Sequence, residues 1–186
     1  MFDFLLHLDK ELLLAINQQH SVFLDYLMVF ASAKLTWLPL YLFLAYLIVK
    51  RFKWHSALVF VMIALTIAIA DQSSVHLFKE TFLRLRPCHQ PDLTELIRTI
   101  KGCGGQYGFV SSHATNSAAL VAFLFMVLKP VNRCLATLLL IYVLLIIYSR
   151  VYLGVHFPAD VLAGAALGIC CGLLTGWLFR VIKSRI

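Results

Sequence analysis

The sequence has few charged residues for its length. Asp, Glu, Lys and Arg make up 13% of its 186 residues, against about 25% in a typical soluble domain. Hydrophobic residues make up 61%, and the mean hydropathy is +0.87. This composition excludes an ordinary soluble domain. It predicts a multi-pass membrane protein that forms a single domain over residues 1–186.

The sequence also lacks the patterns that bind nucleic acids and metals. Its net charge is +7, but no run of Lys and Arg and no soluble domain carries that charge, so we expect no nucleic-acid partner. No Cys and His spacing resembles a zinc site. We therefore expect neither a metal nor another cofactor.

The N-terminal segment lacks the small-residue cleavage site of a signal peptide, and Asp3 precedes its apolar residues. Leu5, Leu8, Leu12 and Ile16 fall on one face of a helix. We expect residues 1–20 to form an amphipathic helix that lies on the membrane surface.

Long apolar runs dominate the rest of the chain. A membrane span needs about 20 apolar residues, and five segments qualify. Lys34 and Pro39 interrupt the first, which we expect to tilt, to kink or to begin as an interfacial segment. The fold class is therefore predicted to be all-α, an integral membrane bundle of five or six transmembrane helices. The candidate spans are residues 24–50, 56–79, 113–129, 134–151 and 158–180.

Acidic residues are missing from one side of this bundle. Asp71 lies inside the second span, and the other Asp and Glu residues fall on or near the opposite side. The positive-inside rule makes the acid-free side cytoplasmic. Residues 80–112 then form an extracytoplasmic loop over the active site, which in a bacterial inner membrane faces the periplasm. The basic residues on the cytoplasmic side are Lys50, Arg51, Lys53, Lys129, Arg133, Arg180, Lys183 and Arg185.

Cysteine is scarce, and two of the five cysteines lie in this outward loop. We expect Cys88 and Cys103 to form a disulfide, the alternative being two free thiols. A different pattern marks the fifth span, where a glycine recurs every four residues and lets another helix approach closely. We expect that helix to belong to the same chain, the alternative being a dimer. The glycines are Gly164, Gly168, Gly172 and Gly176.

Three groups of polar residues reach the outward face of the predicted bundle. In "KETFLRLRP", a continuous helix ended by Pro87 would align Lys79 with Arg86, while Arg84 points elsewhere. In "FVSSHA", Ser111 or Ser112 caps a helix and His113 lies in its first turn. In "YSRVYLGVHFPAD", the fourth span ends and the fifth begins. That stretch supplies Arg150, His156 and Asp160.

Together these residues predict an anion site with nucleophilic and acid–base capacity. The cations and the free N–H groups of a helix N-terminus would neutralise and hold a phosphate. A neutral histidine can attack phosphorus if a carboxylate orients its other nitrogen, and Asp160 lies one helical turn beyond His156. His113 would protonate the leaving oxygen and later activate water. No metal is required.

The three motifs resemble those of the type-2 phosphatidic acid phosphatase superfamily, whose relatives include vanadium haloperoxidases and glucose-6-phosphatase. The family's Lys-x6-Arg-Pro corresponds to Lys79 and Arg86-Pro87. Its Pro-Ser-Gly-His corresponds to residues 110–113, with Val110 in place of Pro and Ser112 in place of Gly. Its Ser-Arg-x5-His-x3-Asp corresponds to Ser149-Arg150, His156 and Asp160.

The resemblance implies a metal-independent lipid phosphatase or diphosphatase. It implies that His156 forms a phosphohistidine with Asp160 as its partner, and that His113 is the general acid. The substrate-binding residues are then Lys79, Arg86, Ser111, Ser112 and Arg150. The implied substrates are undecaprenyl diphosphate, phosphatidylglycerol phosphate, phosphatidic acid or lipid A phosphates. The alternatives are a transporter or scramblase of phosphorylated lipids and an inactive phosphatase-like lipid-binding protein.

Two features stay open between a structural and a functional interpretation. Arg98 and Lys101, in the insert 88–108, either meet a second phosphate or sugar or are solvated loop charges. Asp71 either packs in a polar patch between helices or takes part in proton transfer or substrate binding.

Overall fold

The computed structural model describes residues 2–128 and 132–185, so Lys129 of the predicted cytoplasmic charges lies outside the described residues. Within these ranges the chain is helical and contains no strand, and one isolated antiparallel bridge joins Leu85 to Tyr107. The α-helices are α1 (Phe2–Asn17), α2 (Val22–Ser32), α3 (Leu38–Phe52), α4 (Ser56–Gln72), the single turn α5 (Glu80–Phe82), α6 (Ser112–Val127), α7 (Arg133–Tyr152) and α8 (Pro158–Lys183).

Three helical segments of the described chain are long and apolar enough to cross a membrane, namely Lys34–Phe82, Arg133–Tyr152 and Pro158–Lys183. The first is 49 residues long and contains a break at Lys53, where φ is 48° and α3 gives way to α4. Two shorter apolar helices, α2 and α6, accompany them. The all-α membrane bundle predicted from the sequence is confirmed.

The first predicted span, residues 24–50, is divided in the structure. Ala33 has extended backbone angles, and its N–H bonds to the carbonyl of Phe30 at the end of α2. A short 3₁₀ turn, Lys34–Trp37, then leads into α3, and Pro39 lies in the first turn of that helix. Pro is tolerated at a helix start because no N–H partner is needed there. Lys34 therefore lies at a break between helices.

The glycine-rich face of α8 packs against α6. A Cβ built on Gly168 would lie 2.1 Å from the carbonyl oxygen of Thr115, and one built on Gly172 would lie 2.3 Å from that of Ala119. Only glycine permits backbones to approach this closely. The stripe therefore joins two helices of the same chain, and it holds the start of α6 against the start of α8.

Helix α1 docks on the bundle through an edge that lies beside its predicted apolar face. Asp9, Leu13 and Asn17 are buried against the protein. Leu5, Leu8 and Leu12 remain between 39% and 54% exposed. These three leucines are thus free to meet lipid, while Ile16, the fourth residue of the predicted apolar face, is half-buried against the bundle.

Candidate active site

Lys79 lies where α4 changes its helical geometry. The helix continues beyond Gln72 as a π-helix over Ser73–Lys79, a form that is rare and often occurs at functional sites. Lys79 Nζ donates a hydrogen bond to Ser112 Oγ at 2.7 Å, and Ser74 Oγ lies 2.7 Å from the same oxygen. These contacts tie the end of the second span to the start of α6.

The route from Lys79 to Arg86 is not the continuous helix that the spacing predicts. The helix ends at Phe82, and Leu83 has a φ of 49° in the left-handed region, a common way to end a helix. Residues 84–86 are then held in extended form by the bridge between Leu85 and Tyr107 and by a bond from Arg86 N to Gln106 O. Alternate side chains of an extended segment share a face. Arg84 and Arg86 therefore lie on the same face of the segment, where they contact Asp160 and His156.

The second motif begins α6. Ser111 occupies the N-cap position, but its hydroxyl makes no capping bond and has no partner among the described residues. Its side chain is fully buried, and its N–H donates to the carbonyl of Asp160. Ser112 and His113, which follow, are half-buried and line the cavities described below.

The third motif spans a tight connection between α7 and α8. Gly154 has a φ of 70°, which glycine adopts without strain. This turn points His156 back towards the bundle. Asp160, in the first turn of α8, accepts a hydrogen bond from Phe157 N–H through Oδ2 at 3.0 Å. Such a bond satisfies an N–H group that the helix leaves unpaired.

His156 lies between Arg86 and Asp160. Its Nε2 is 3.1 Å from Arg86 Nη1, and its Nδ1 is 3.5 Å from Asp160 Oδ2. A guanidinium only donates hydrogen bonds, so Nε2 acts as the acceptor and the ring proton belongs on Nδ1, facing the carboxylate. Burial, reinforced by the charge of Arg86, holds the pKa of His156 well below its usual range. The imidazole is therefore neutral at neutral pH.

Most of the predicted site residues meet around one cavity of about 280 Å³. Ser111 and Asp160 do not line it: the former is buried at the helix start, and the latter lies behind His156. Helix α2 also fixes the position of Arg150, whose guanidinium donates a hydrogen bond to Ser32 Oγ. The predicted residues that line the cavity are Lys79, Arg86, Ser112, His113, Arg150 and His156.

A second cavity of about 650 Å³ adjoins the first. Lys79, Arg86, Ser112 and His113 line both cavities. From this shared end the larger cavity extends to Leu124, and apolar side chains dominate its lining. A polar end and an apolar depth suit an amphiphile with an anionic group.

Sequence reasoning missed three charged residues around the site. Arg84 bonds to Asp160 Oδ1 at 2.7 Å and to Asp9 Oδ2 at 2.6 Å, and its guanidinium stacks 4.2 Å from the ring of Phe157. Lys34 lines the larger cavity. Its position inside an apolar segment was a usable signal. No local sequence pattern predicts that Asp9, which lies 75 residues before Arg84, contacts that arginine.

Residues 101–104 of the insert 88–108 line the smaller cavity. A disulfide between Cys88 and Cys103 closes the insert into a loop. Lys101 is among the residues that line the cavity. Arg98 does not reach it, because both of its terminal nitrogens bond to Asp25 at 2.8 and 2.5 Å. Of the two loop cations, only Lys101 is positioned to meet an anion in the site.

The described residues offer no group of ligands suited to a metal at this site. Within residues 2–128 and 132–185, the one cluster of His, Cys and acidic side chains close enough to share an ion is Cys88, His89 and Cys103. Its two sulfurs are joined in the disulfide. The six predicted site residues that line the smaller cavity instead form a cationic, nitrogen-rich site that suits a phosphate group.

Comparisons with known proteins identify a family and several relatives of similar sequence. The sequence profile of the PAP2 superfamily matches residues 55–183. The lipid A 4'-phosphatase of Bacteroides thetaiotaomicron is 37% identical over 189 residues, which cover 100% of this chain and 81% of that protein. The lipid A 4'-phosphatase of Porphyromonas gingivalis is 33% identical over 185 residues, covering 98% of this chain and 78% of that protein.

Two crystal structures have a similar fold. The PAP2-type phosphatidylglycerolphosphate phosphatase of Bacillus subtilis superposes with a TM-score of 0.72 at 23% identity, covering 98% of this chain and 87% of that one. LpxE of Aquifex aeolicus superposes with a TM-score of 0.65 at 25% identity, covering 90% and 94%. The first of these likenesses concerns the fold alone.

Proposed function

The chain belongs to the PAP2 superfamily, and from that membership we propose that it removes a phosphate from lipid A through a phosphohistidine intermediate at the periplasmic face of the inner membrane. The coarser activity, a phosphatase that acts on lipid phosphates, follows from the family and from relatives similar along nearly the whole chain. This favours catalysis over the alternatives of a lipid transporter and an inactive binding protein.

The single observation that supports the mechanism is the position of His156 between Arg86 and Asp160 at the edge of a cationic cavity. On substrate binding, Arg86 transfers its hydrogen bond from His156 Nε2 to a phosphate oxygen. This frees the Nε2 lone pair for attack on phosphorus. Lys79, Ser112 and Arg150 hold the remaining oxygens and neutralise the charge that resists the attack.

The reaction then proceeds in two displacements. Nε2 forms a bond to phosphorus, the bond from phosphorus to the lipid oxygen breaks, and His113 protonates that oxygen. Asp160 stabilises the cationic ring of His156 through Nδ1. In the second step His113 takes a proton from water, the hydroxide attacks phosphorus, and His156 leaves. Lipid alcohol and inorganic phosphate are the products.

Among the expected substrates we propose lipid A, because the two relatives named lipid A 4'-phosphatase are similar over 98–100% of the chain. The adjoining apolar cavity, which shares Lys79, Arg86, Ser112 and His113 with the smaller one, accommodates part of the lipid. The distribution of basic residues along the sequence supports the extracytoplasmic orientation.

The test is phosphate release by purified protein in detergent, with EDTA present. Lipid A, undecaprenyl diphosphate and phosphatidylglycerol phosphate are each supplied. We expect release from lipid A, its loss in His156→Ala, and an acid-labile phosphate on the protein after rapid quenching. His20→Ala, which removes an exposed histidine from the connection after α1, is the matched control and keeps full activity. Absence of phosphate release from every lipid would reject the proposed function.

A further inference from the structure

Asp71 is a charged residue inside the second span that the proposed mechanism does not use. It is the penultimate residue of α4 and is half-buried. An ionisable residue at such a position is costly and usually has a function. It lines the larger cavity together with Lys79, Ser112 and His113.

The carboxylate of Asp71 is oriented by a single partner on the neighbouring helix. Asn116 Nδ2 donates to Asp71 Oδ1 at 2.9 Å. No hydrogen bond from the described residues reaches Oδ2, and Asn116 Oδ1 is buried without a partner there. The pair therefore has unused acceptor capacity on the wall of a cavity.

The position of the pair relates it to the phosphate site. Asn116 follows Ser112 and His113 by one helical turn on α6, which corresponds to about 5 Å along the axis. Further along the same helix, Leu120 and Leu124 line the cavity. The pair thus lies between the cationic end and the apolar depth, where the atoms next to a bound phosphate would be.

We propose that Asp71, held by Asn116, accepts a hydrogen bond from an O–H or N–H group close to the phosphate of the substrate and so selects saccharolipid phosphates over lipid phosphates without such a donor. This inference rests on the proposed function and specifies the substrate class. An acylated amino sugar carries hydroxyl and amide donors a few bonds from its phosphate. Phosphatidic acid and polyprenyl phosphates carry none.

The selectivity arises because leaving a desolvated polar group without a hydrogen bond costs more free energy than making that bond gains. When a substrate covers the half-buried carboxylate, a donor on the lipid satisfies it, whereas hydrocarbon removes its water and supplies no hydrogen bond in return. A site built to accept a hydrogen bond therefore rejects analogues that lack the donor. The cations nearby attract every phosphorylated lipid alike, so selection among lipids falls to groups such as Asp71.

The experiment measures kcat/KM for lipid A and for phosphatidic acid with the same protein preparation, and compares the ratio of the two between variants. Asp71→Asn retains an oxygen that accepts from Asn116 but replaces the second acceptor by a donor. We expect the ratio to fall about 10- to 100-fold, as for the loss of a hydrogen bond to a charged acceptor. A third substrate, phosphatidylglycerol phosphate, has a glycerol hydroxyl next to its phosphate but no sugar. If its kcat/KM falls in Asp71→Asn as that of lipid A does, Asp71 recognises any nearby donor and not the sugar in particular.

Thr66→Val is the matched control. Thr66 lies on the same helix, is fully buried and bonds to Thr175 at 2.8 Å, but it does not line the cavity. The ratio should keep its wild-type value in this variant. Should Asp71→Asn fail to fold, Asn116→Leu, which removes the group that orients the carboxylate, is expected to lower the ratio in the same direction.

Two results would overturn the inference. An unchanged ratio would make the pair a purely structural link between α4 and α6. An equal loss on both lipids would mean that Asp71 acts on the reaction centre through Lys79. Failure of the wild-type protein to hydrolyse any lipid would instead reject the proposed function, so the two failures are distinguishable.

Discussion

Arg84 Nη1 lies 2.7 Å from Asp160 Oδ1, while the other oxygen of Asp160 is 3.5 Å from His156 Nδ1. The carboxylate that faces the proposed nucleophile is therefore paired with an arginine through its other oxygen. Arg84 also bonds to Asp9 on α1, and Asp9 accepts a hydrogen bond from Ala159 N–H at 2.8 Å. A chain of charged groups thus connects the N-terminal helix to the proposed catalytic centre.

Replacing Arg84 by Gln should lower kcat much more than it changes KM, because Arg84 orients Asp160 without lining the cavity. We expect a loss of at least about tenfold in kcat, equivalent to about 1.4 kcal/mol, and partial rescue by Arg84→Lys. Unfolding should become easier too, since breaking a buried pair costs about 3–5 kcal/mol. The 20% exposure of Arg84 places the expected cost near or below the lower value. Steady-state kinetics and thermal unfolding in detergent measure both.

Arg98→Gln is the control for that experiment, because it also breaks an arginine–aspartate pair that joins the insert 88–108 to a helix. It should leave kcat within about twofold, since Arg98 lies outside the cavity. If Arg84→Gln retains full kcat while Asp160→Ala is inactive, then Asp160 does not depend on Arg84 for its orientation.

Part of the fold is encoded in local sequence features, and part depends on contacts between distant residues. The helical bundle and the site motifs were predictable because apolar length and short polar motifs are local features. The path between Lys79 and Arg86 was not. Residues 84–86 are extended because they pair with residues 106–108, about twenty positions later, and no local pattern encodes that pairing.

The role of Arg84 was missed for the same physical reason. On a continuous helix it would point away from Lys79 and Arg86. In an extended segment, alternate side chains share a face. The docking edge of α1 could not be predicted from local sequence either, since Asp9 and Asn17 are buried by contacts with residues at least 75 positions away.

The pH dependence of activity follows from the neutral state of His156. Burial and the surrounding charges of Arg86, Arg150 and Lys79 hold its pKa well below the usual 6.5, while Asp160 faces Nδ1. In the proposed mechanism the attacking form of His156 is the deprotonated one, which is lost only as pH falls through this lowered pKa. We therefore expect no acid limb from His156 in kcat/KM between pH 7.5 and about 6. A limb near 6.5 that persists in other histidine variants would contradict this.

The same shift makes the stability of the protein depend on pH. Below about pH 6.5 the unfolded chain binds a proton at residue 156 that the folded chain excludes. The free energy of unfolding should therefore fall as pH falls below this value. Thermal unfolding in detergent at pH 7.5 and 5.5 would measure the change. His156→Gln should reduce the difference between the two pH values, and an undiminished difference would assign it to other groups.

The orientation of the bundle is tested by labelling engineered cysteines in intact cells. Glu95→Cys places a thiol on the exposed insert, and Trp54→Cys places one at a 95% exposed position between α3 and α4. We expect a membrane-impermeant maleimide to label the first and not the second until the cells are permeabilised. The native free cysteines, Cys134, Cys170 and Cys171, are replaced by Ser or Ala beforehand. The opposite labelling pattern would reverse the topology.

Gly108 lies over the contact between the first and third motifs. A Cβ at this position would be 3.1 Å from Arg86 Cγ and 3.1 Å from Asp160 Oδ2. Both neighbours would have to shift by a few tenths of an ångström, and both set the position of the His156 ring. Because a small misplacement of reacting groups strongly lowers the rate, Gly108→Ala should reduce kcat by about tenfold or more. Gly105→Ala is its control in the same loop, since nothing lies within 4 Å of the added carbon. Wild-type kcat in both variants would mean that the loop yields without moving the catalytic groups.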